Sequence, residues 1–106
     1  MKLWIDDVRP APEGYNWART VNEAKYHIEW WEAHIKKYNV ENMNNIVIDI
    51  DHDAGDFAHD GGDFIKLLDW LEETGRNYPI RIHSMNPVGV ANMRRIIERN
   101  GWKEIR

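Results

Sequence analysis

Asn45-Ile46-Val47-Ile48-Asp49-Ile50-Asp51-His52-Asp53-Ala54-Gly55 is the stretch around which the rest of the chain is read. It opens as an apolar β-branched run, the composition of a strand buried on both faces of a parallel sheet. It then releases three carboxylates and an imidazole between Asp49 and Asp53. Neighbouring carboxylates repel one another, so such a cluster calls for solvent, a cation or both. In open α/β sheets, ligands bind beyond the carboxyl ends of the strands. Asp51-His52-Asp53 is therefore expected to floor an active or binding site. Asp49 shares the face of Asp51 one step deeper. It is either a residue behind the pocket or the mark of a shifted register.

Outward from this strand, about Ile46 to Ile50, the elements alternate. Upstream, Lys2 to Ile5 reads as a short strand stopping at Asp6-Asp7. Arg9-Pro10-Ala11-Pro12-Glu13-Gly14 is a loop by its prolines and glycine. Tyr15 to Arg19 suggests a second strand. The connection is too short for an ordinary crossover helix, which leaves a bare-loop crossover or an antiparallel edge strand. Thr20 and Glu23 form a capping-box pattern for a helix over Val21 to Tyr38. Val21, Ala24, Ile28, Trp31, Ile35 and Tyr38 make its apolar stripe.

Asn39 to Asn45 is polar and leads into the central strand. Downstream of that strand, Asp60 is the expected cap of a helix over Gly61 to Thr74 that buries Phe64, Leu67, Leu68 and Leu71, with Gly75 ending it. Pro79 to His83 reads as a strand. Asn86 caps and Pro87 opens a helix over Val88 to Arg99. Asn100-Gly101 stops it before a final strand over Trp102 to Ile105. This order predicts one domain over residues 1–106, an α/β fold with a mostly parallel sheet and helices on both faces.

Composition bounds the function. The chain has 106 residues and a formal net charge of -4, from 14 basic and 18 acidic side chains. That balance does not favour a long nucleic-acid surface held by charge, but leaves room for one phosphate held through a metal. With no cysteine, disulfides and thiolate sites are excluded. No run approaches the roughly 20 apolar residues of a membrane span, and Met1 to Asp7 does not resemble a signal peptide. A cytoplasmic protein is expected.

Parallel strands put their carboxyl ends on one rim. That would gather Asp6 and Asp7 with Arg9 nearby, then Asp51, His52 and Asp53, then His83, Ser84 and Asn86. Asp6, Asp7 and Asp51, with Asp53 as a further candidate, offer oxygen ligands for Mg²⁺ or Mn²⁺. Such an ion keeps waters that a phosphate can displace. The helix beginning at Pro87 would point its N-terminus at the same rim and favour an anion. Each residue also has an ordinary use: an aspartate as cap or solvated turn, a histidine as structural partner, Asn86 as N-cap, Arg9 as partner of the acidic pair. Convergence at three strand ends is what favours the functional reading.

The acidic pair after the first strand, Asp51 after the third and Ser84 after the fourth resemble receiver domains of response regulators. The resemblance implies a flavodoxin-like, doubly wound five-stranded sheet of order 2-1-3-4-5. It also implies a metal pair at Asp6 and Asp7, an acceptor at Asp51, and a phosphoryl contact at Ser84. More closely, Leu3-Trp4-Ile5-Asp6-Asp7-Val8-Arg9-Pro10-Ala11-Pro12, Asp51-His52-Asp53, and His83-Ser84-Met85-Asn86-Pro87-Val88-Gly89 with Asn92-Met93 resemble the signature blocks of cyclic-phosphate-processing receiver domains. That family implies a repurposed receiver rim that processes cyclic phosphates, such as RNA 2′,3′-cyclic phosphate ends. The chain departs from ordinary receivers in a proline loop where the first helix stands, in having no final helix, and in lacking the lysine after the fifth strand.

The expected function is a metal-dependent phosphoesterase acting on a cyclic phosphate or a related small phosphate ester. Asp51 and Ser84 would lie at the reacting phosphate, and His52 or His83 would act as general acid or base. Arg9, Ser84 and Asn86 would contact phosphate oxygens. Two other readings stand beside it: a receiver-like binding module that catalyses nothing, and a phosphoacceptor switch on Asp51.

Overall fold

A computed structural model describes residues 1–38 and 46–106. The polar run expected over Asn39 to Asn45 lies outside the described residues. The strands are β1 (Lys2–Ile5), β2 (Asn16–Ala18), β3 (Val47–Ile50), β4 (Ile80–Ile82) and β5 (Glu104–Ile105). The α-helices are α1 (Val21–Tyr38), α2 (Ile65–Glu73) and α3 (Pro87–Asn100). All five strands pair parallel, in the order β2-β1-β3-β4-β5. The connection left open by the sequence is thus a bare-loop crossover. β2 runs parallel to β1, with Trp4 opposite Trp17 and Ile5 opposite Ala18.

The register explains the core. Leu3, Ile5, Ala18, Ile48, Ile50 and Ile80 fall on one face of the sheet and are fully buried. The helical crossovers β2 to β3, β3 to β4 and β4 to β5 all advance in one direction. Right-handed connections then place all three helices on that same face. α1 packs on α2, and α2 on α3. Val21, Ala24, Ile28, Leu67, Leu68, Leu71, Met93 and Ile97 fill the layer between. Helices on both faces, expected from alternation alone, are therefore not found among the described residues. The opposite face carries the row Trp17, Trp4, Asp49, Arg81 and Ile105.

Local chemistry sets most element ends. Thr20 Oγ1 accepts the Glu23 N–H at 3.0 Å, and Glu23 reaches back to the Arg19 N–H at 2.6 Å. Asp60 does not cap α2. Gly61 and Gly62 hold φ of 101° and 91°, which no right-handed helix allows. The helix starts after Phe64, and Asp60 instead accepts from the Asn22 amide at 2.8 Å. α3 begins as its sequence requires, with Asn86 as N-cap and Pro87 in the first turn. No helix among the described residues is long and apolar enough to cross a membrane.

Candidate functional site

The carboxyl ends of β1, β3 and β4 meet on one rim. Asp6 is the most constrained group there. It is fully buried, and its Oδ1 accepts the N–H groups of Val8 and Arg9 at 3.0 and 2.9 Å. Its Oδ2 faces Arg9 Nε and His83 Nε2, both at 3.0 Å. Burial alone would push this carboxyl up. The N–H donors of Arg9 and Val8, the His83 contact and the Arg9 charge outweigh it, and the group lies below the usual carboxylate range. Asp7 is only partly buried and is pushed up, first by desolvation, then by the charges of Asp6 and Asp51 against its backbone contacts. Asp51 accepts the His52 N–H at 2.8 Å and has Arg9 Nη2 at 3.4 Å from its other oxygen.

Asp6, Asp7 and Asp51 each bring a ligating oxygen within 4.8 Å of the others. Such a group of hard oxygens can hold a divalent cation. Two observations fit that use: Asp7 is disfavoured as an anion by desolvation and then by its acidic neighbours, and a guanidinium already lies across the other two. Asp53 is not in this group. It is 61% exposed, and its Oδ1 lies 2.7 Å from His52 Nδ1.

The two histidines differ. The His83 side chain is 7% exposed, with Nδ1 2.6 Å from Asp49 Oδ1 and Nε2 on Asp6. Its ring stacks on Trp4 at 3.8 Å between centroids, with planes 5° apart. Asp49, which also holds Arg81 Nη1 at 3.1 Å, is thus the residue behind the pocket and not the mark of a shifted register. Both His83 nitrogens face carboxylates, which only accept hydrogen bonds. His52 has one nitrogen on Asp53, and its ring lies over the first turn of α3. A Cβ on Gly89 would fall 2.4 Å from His52 Cγ, so only glycine leaves room for the ring.

The family model described as the cyclic-phosphate processing receiver domain matches residues 1–99 of the 106. The chain belongs to that family. No curated protein and no solved structure gives a significant match.

In this cyclic-phosphate processing receiver domain, the loop after β4 spends much of its polarity on itself. Ser84 Oγ accepts the Asn86 N–H at 3.1 Å, and Asn86 Oδ1 accepts the Gly89 N–H at 3.1 Å. Asn86 was expected on phosphate; its side-chain oxygen is used as the cap of α3. Asn86→Ala should therefore cost about 1 kcal/mol of stability, and Asn86→Asp should restore most of it. Urea denaturation checks this; an unchanged midpoint in the alanine variant would remove the cap role.

Several residues that shape the receiver rim were not among the sequence candidates. Trp17 Nε1 donates to the Asp6 carbonyl at 2.8 Å. Arg19 donates to the Asp7 carbonyl from Nε and Nη2, at 3.1 and 2.9 Å, and lies over Trp17 and Phe57. Gly89 makes room for His52. None of these sits at a strand end with an acid or imidazole of its own, so residue type gave no signal. A cavity of about 470 Å³, lined by Glu32, Ile35, Ile46, Arg76 and Tyr78, lies at the opposite rim. Its Glu32 carboxylate is taken by Arg76 and the Tyr78 hydroxyl, which reads as a structural ion pair.

Proposed function

We propose that this domain hydrolyses a cyclic phosphate ester, with Mg²⁺ or Mn²⁺ held by Asp6, Asp7 and Asp51. The observation that carries the reading is a three-carboxylate cluster beside a His–Asp pair on one rim. The family description, cyclic-phosphate processing, supports the substrate class. The mild charge balance favours a small ester or the end of a nucleic acid over a long duplex.

A bound ion would polarise the phosphate and activate a water. The remaining work falls to this chain. Arg9 offers paired N–H donors to phosphate oxygens. Ser84 keeps its O–H to donate while its oxygen accepts from Asn86. Asp53 on Nδ1 fixes the His52 ring and leaves Nε2 to move the proton, so Asp53 acts as the orienter of His52 and not as a metal ligand. In hydrolysis a water oxygen joins phosphorus and one ring P–O bond breaks. His52 gives a proton to the leaving oxygen and regains one from the attacking water. His83, enclosed by Asp6 and Asp49, holds the cluster in place.

Purified protein incubated with cyclic and linear phosphoesters, with either ion or with EDTA, tests this. EDTA-sensitive opening of a cyclic ester is the expected result. No turnover of any ester would favour a binding module. A phosphoryl adduct on Asp51 after acetyl phosphate treatment would favour the second reading, a phosphoacceptor, which the position of Asp51 beyond β3 supports.

A further inference from the structure

We infer that Arg9 is a tethered cation that fills the acidic site until a divalent ion displaces it, and that its release couples ion binding to phosphate binding. This rests on the reading of Asp6, Asp7 and Asp51 as the ion site.

The lone pairs of Asp6 carry the inference. An ionised carboxylate offers about four acceptor positions; two backbone N–H groups and the His83 Nε2 contact occupy three on Asp6, and the Arg9 guanidinium, an ion pair with Nε 3.0 Å from Oδ2, covers the rest. An ion that takes Asp6 as a ligand must remove one of them. The backbone donors belong to the turn after β1. His83 is 7% exposed and held by Asp49 and Trp4. The Arg9 side chain is 48% exposed. Arg9, held to Asp6 by charge and half exposed, is therefore the group that yields.

Its present contacts show what it does meanwhile. The guanidinium lies 3.0 Å from Asp6 and 3.4 Å from Asp51, and donates to the His83 carbonyl at 3.2 Å. It is thus one positive charge serving two carboxylates. Its backbone stays pinned, because the Arg9 N–H bonds Asp6 Oδ1 at 2.9 Å. Displacement would swing the guanidinium out on a fixed stem, beside the ion that replaced it. There its donors would be unspent, and a phosphate bound at the ion would meet them. Ion and phosphate would then help each other, since linkage is reciprocal.

Calorimetric titration of Mn²⁺ into wild type, Arg9→Gln and Arg9→Lys, with and without inorganic phosphate, tests this. Arg81→Gln controls for simple loss of charge, because Arg81 is equally exposed and pairs with Asp49 outside the cluster. Arg9→Gln should bind Mn²⁺ roughly tenfold tighter than wild type, with Arg9→Lys between them. Phosphate should tighten Mn²⁺ by at least about fivefold in wild type and by much less in Arg9→Gln. Circular dichroism would check that each variant is folded. Equal Mn²⁺ affinity in wild type and Arg9→Gln overturns the inference and spares the ion site. So does an equal gain in Arg81→Gln, or full phosphate coupling in Arg9→Gln. No Mn²⁺ binding to any variant overturns the ion site and this inference together.

Discussion

His52→Gln should lower the turnover of a cyclic phosphate by about 10²–10⁴ while Mn²⁺ binding and the melting temperature stay near wild type. Glutamine keeps the polarity and much of the size of the ring but cannot exchange a proton near neutral pH. The geometry favours His52 because one of its nitrogens is fixed by Asp53 at 2.7 Å. In His83, both nitrogens are committed to carboxylates. Steady-state kinetics on purified variants measures the difference. Undiminished turnover in His52→Gln would remove it as the proton carrier. A kcat loss confined to His83→Gln, with stability intact, would return that role to His83.

The largest expected stability effect lies one shell deeper. His83→Leu should destabilise the fold by about 3–5 kcal/mol, because removing one member of a buried charged network strands the others. Asp6 and Asp49 have side chains 0% and 2% exposed, and both lose a partner at once. The loss should fall toward the lower end of that range, since Arg9 and Arg81 still reach the same carboxylates. The pH dependence has a definite sign. Asp6 is held below its ordinary range in the folded protein. Its contribution is present above the unfolded value, about pH 4, and is lost as pH falls through the lower folded value. Without His83 part of that depression goes, so the acid loss tied to Asp6 should be smaller and should be complete at a higher pH, while its onset stays near the unfolded value. Urea denaturation across pH gives both numbers. A loss below about 1 kcal/mol would mean that the network contributes little to the fold.

The sequence carried the order of elements and the rim because both follow from local signals, while the strand order came with the resemblance to receiver domains. A β-branched run marks β3, and Asp6, Asp7 and Asp51 stand at strand ends that a parallel sheet must gather. What was not legible depends on tertiary placement. That all three helices share a face follows from the direction of the crossovers, and no single segment records it. The start of α2 is set by Gly61 and Gly62, whose positive φ overrides a good capping residue at Asp60. His52 and His83 look alike in sequence. Only the positions of Trp4 and Asp49 show that one is enclosed, and only Gly89 shows where the other lies. Asn86 was legible in both of its uses; the contact with Gly89 N–H takes its Oδ1 for the cap and leaves its NH2 donors outside that contact.

The ion site is the claim on which the rest depends, and thermal unfolding with Mg²⁺, Mn²⁺ or Ca²⁺ against EDTA tests it most directly. Asp7 is pushed up by desolvation and by Asp6 and Asp51 beside it, so its charge works against folding at neutral pH until a cation relieves it. At about 100 times its dissociation constant an ion should add about 2.7 kcal/mol of stability. Wild type should melt higher with at least one ion, and Asp51→Asn should melt at one temperature with or without it. An unchanged wild-type melt with all three ions, or an equal rise in Asp51→Asn, would contradict a cation held by Asp6, Asp7 and Asp51.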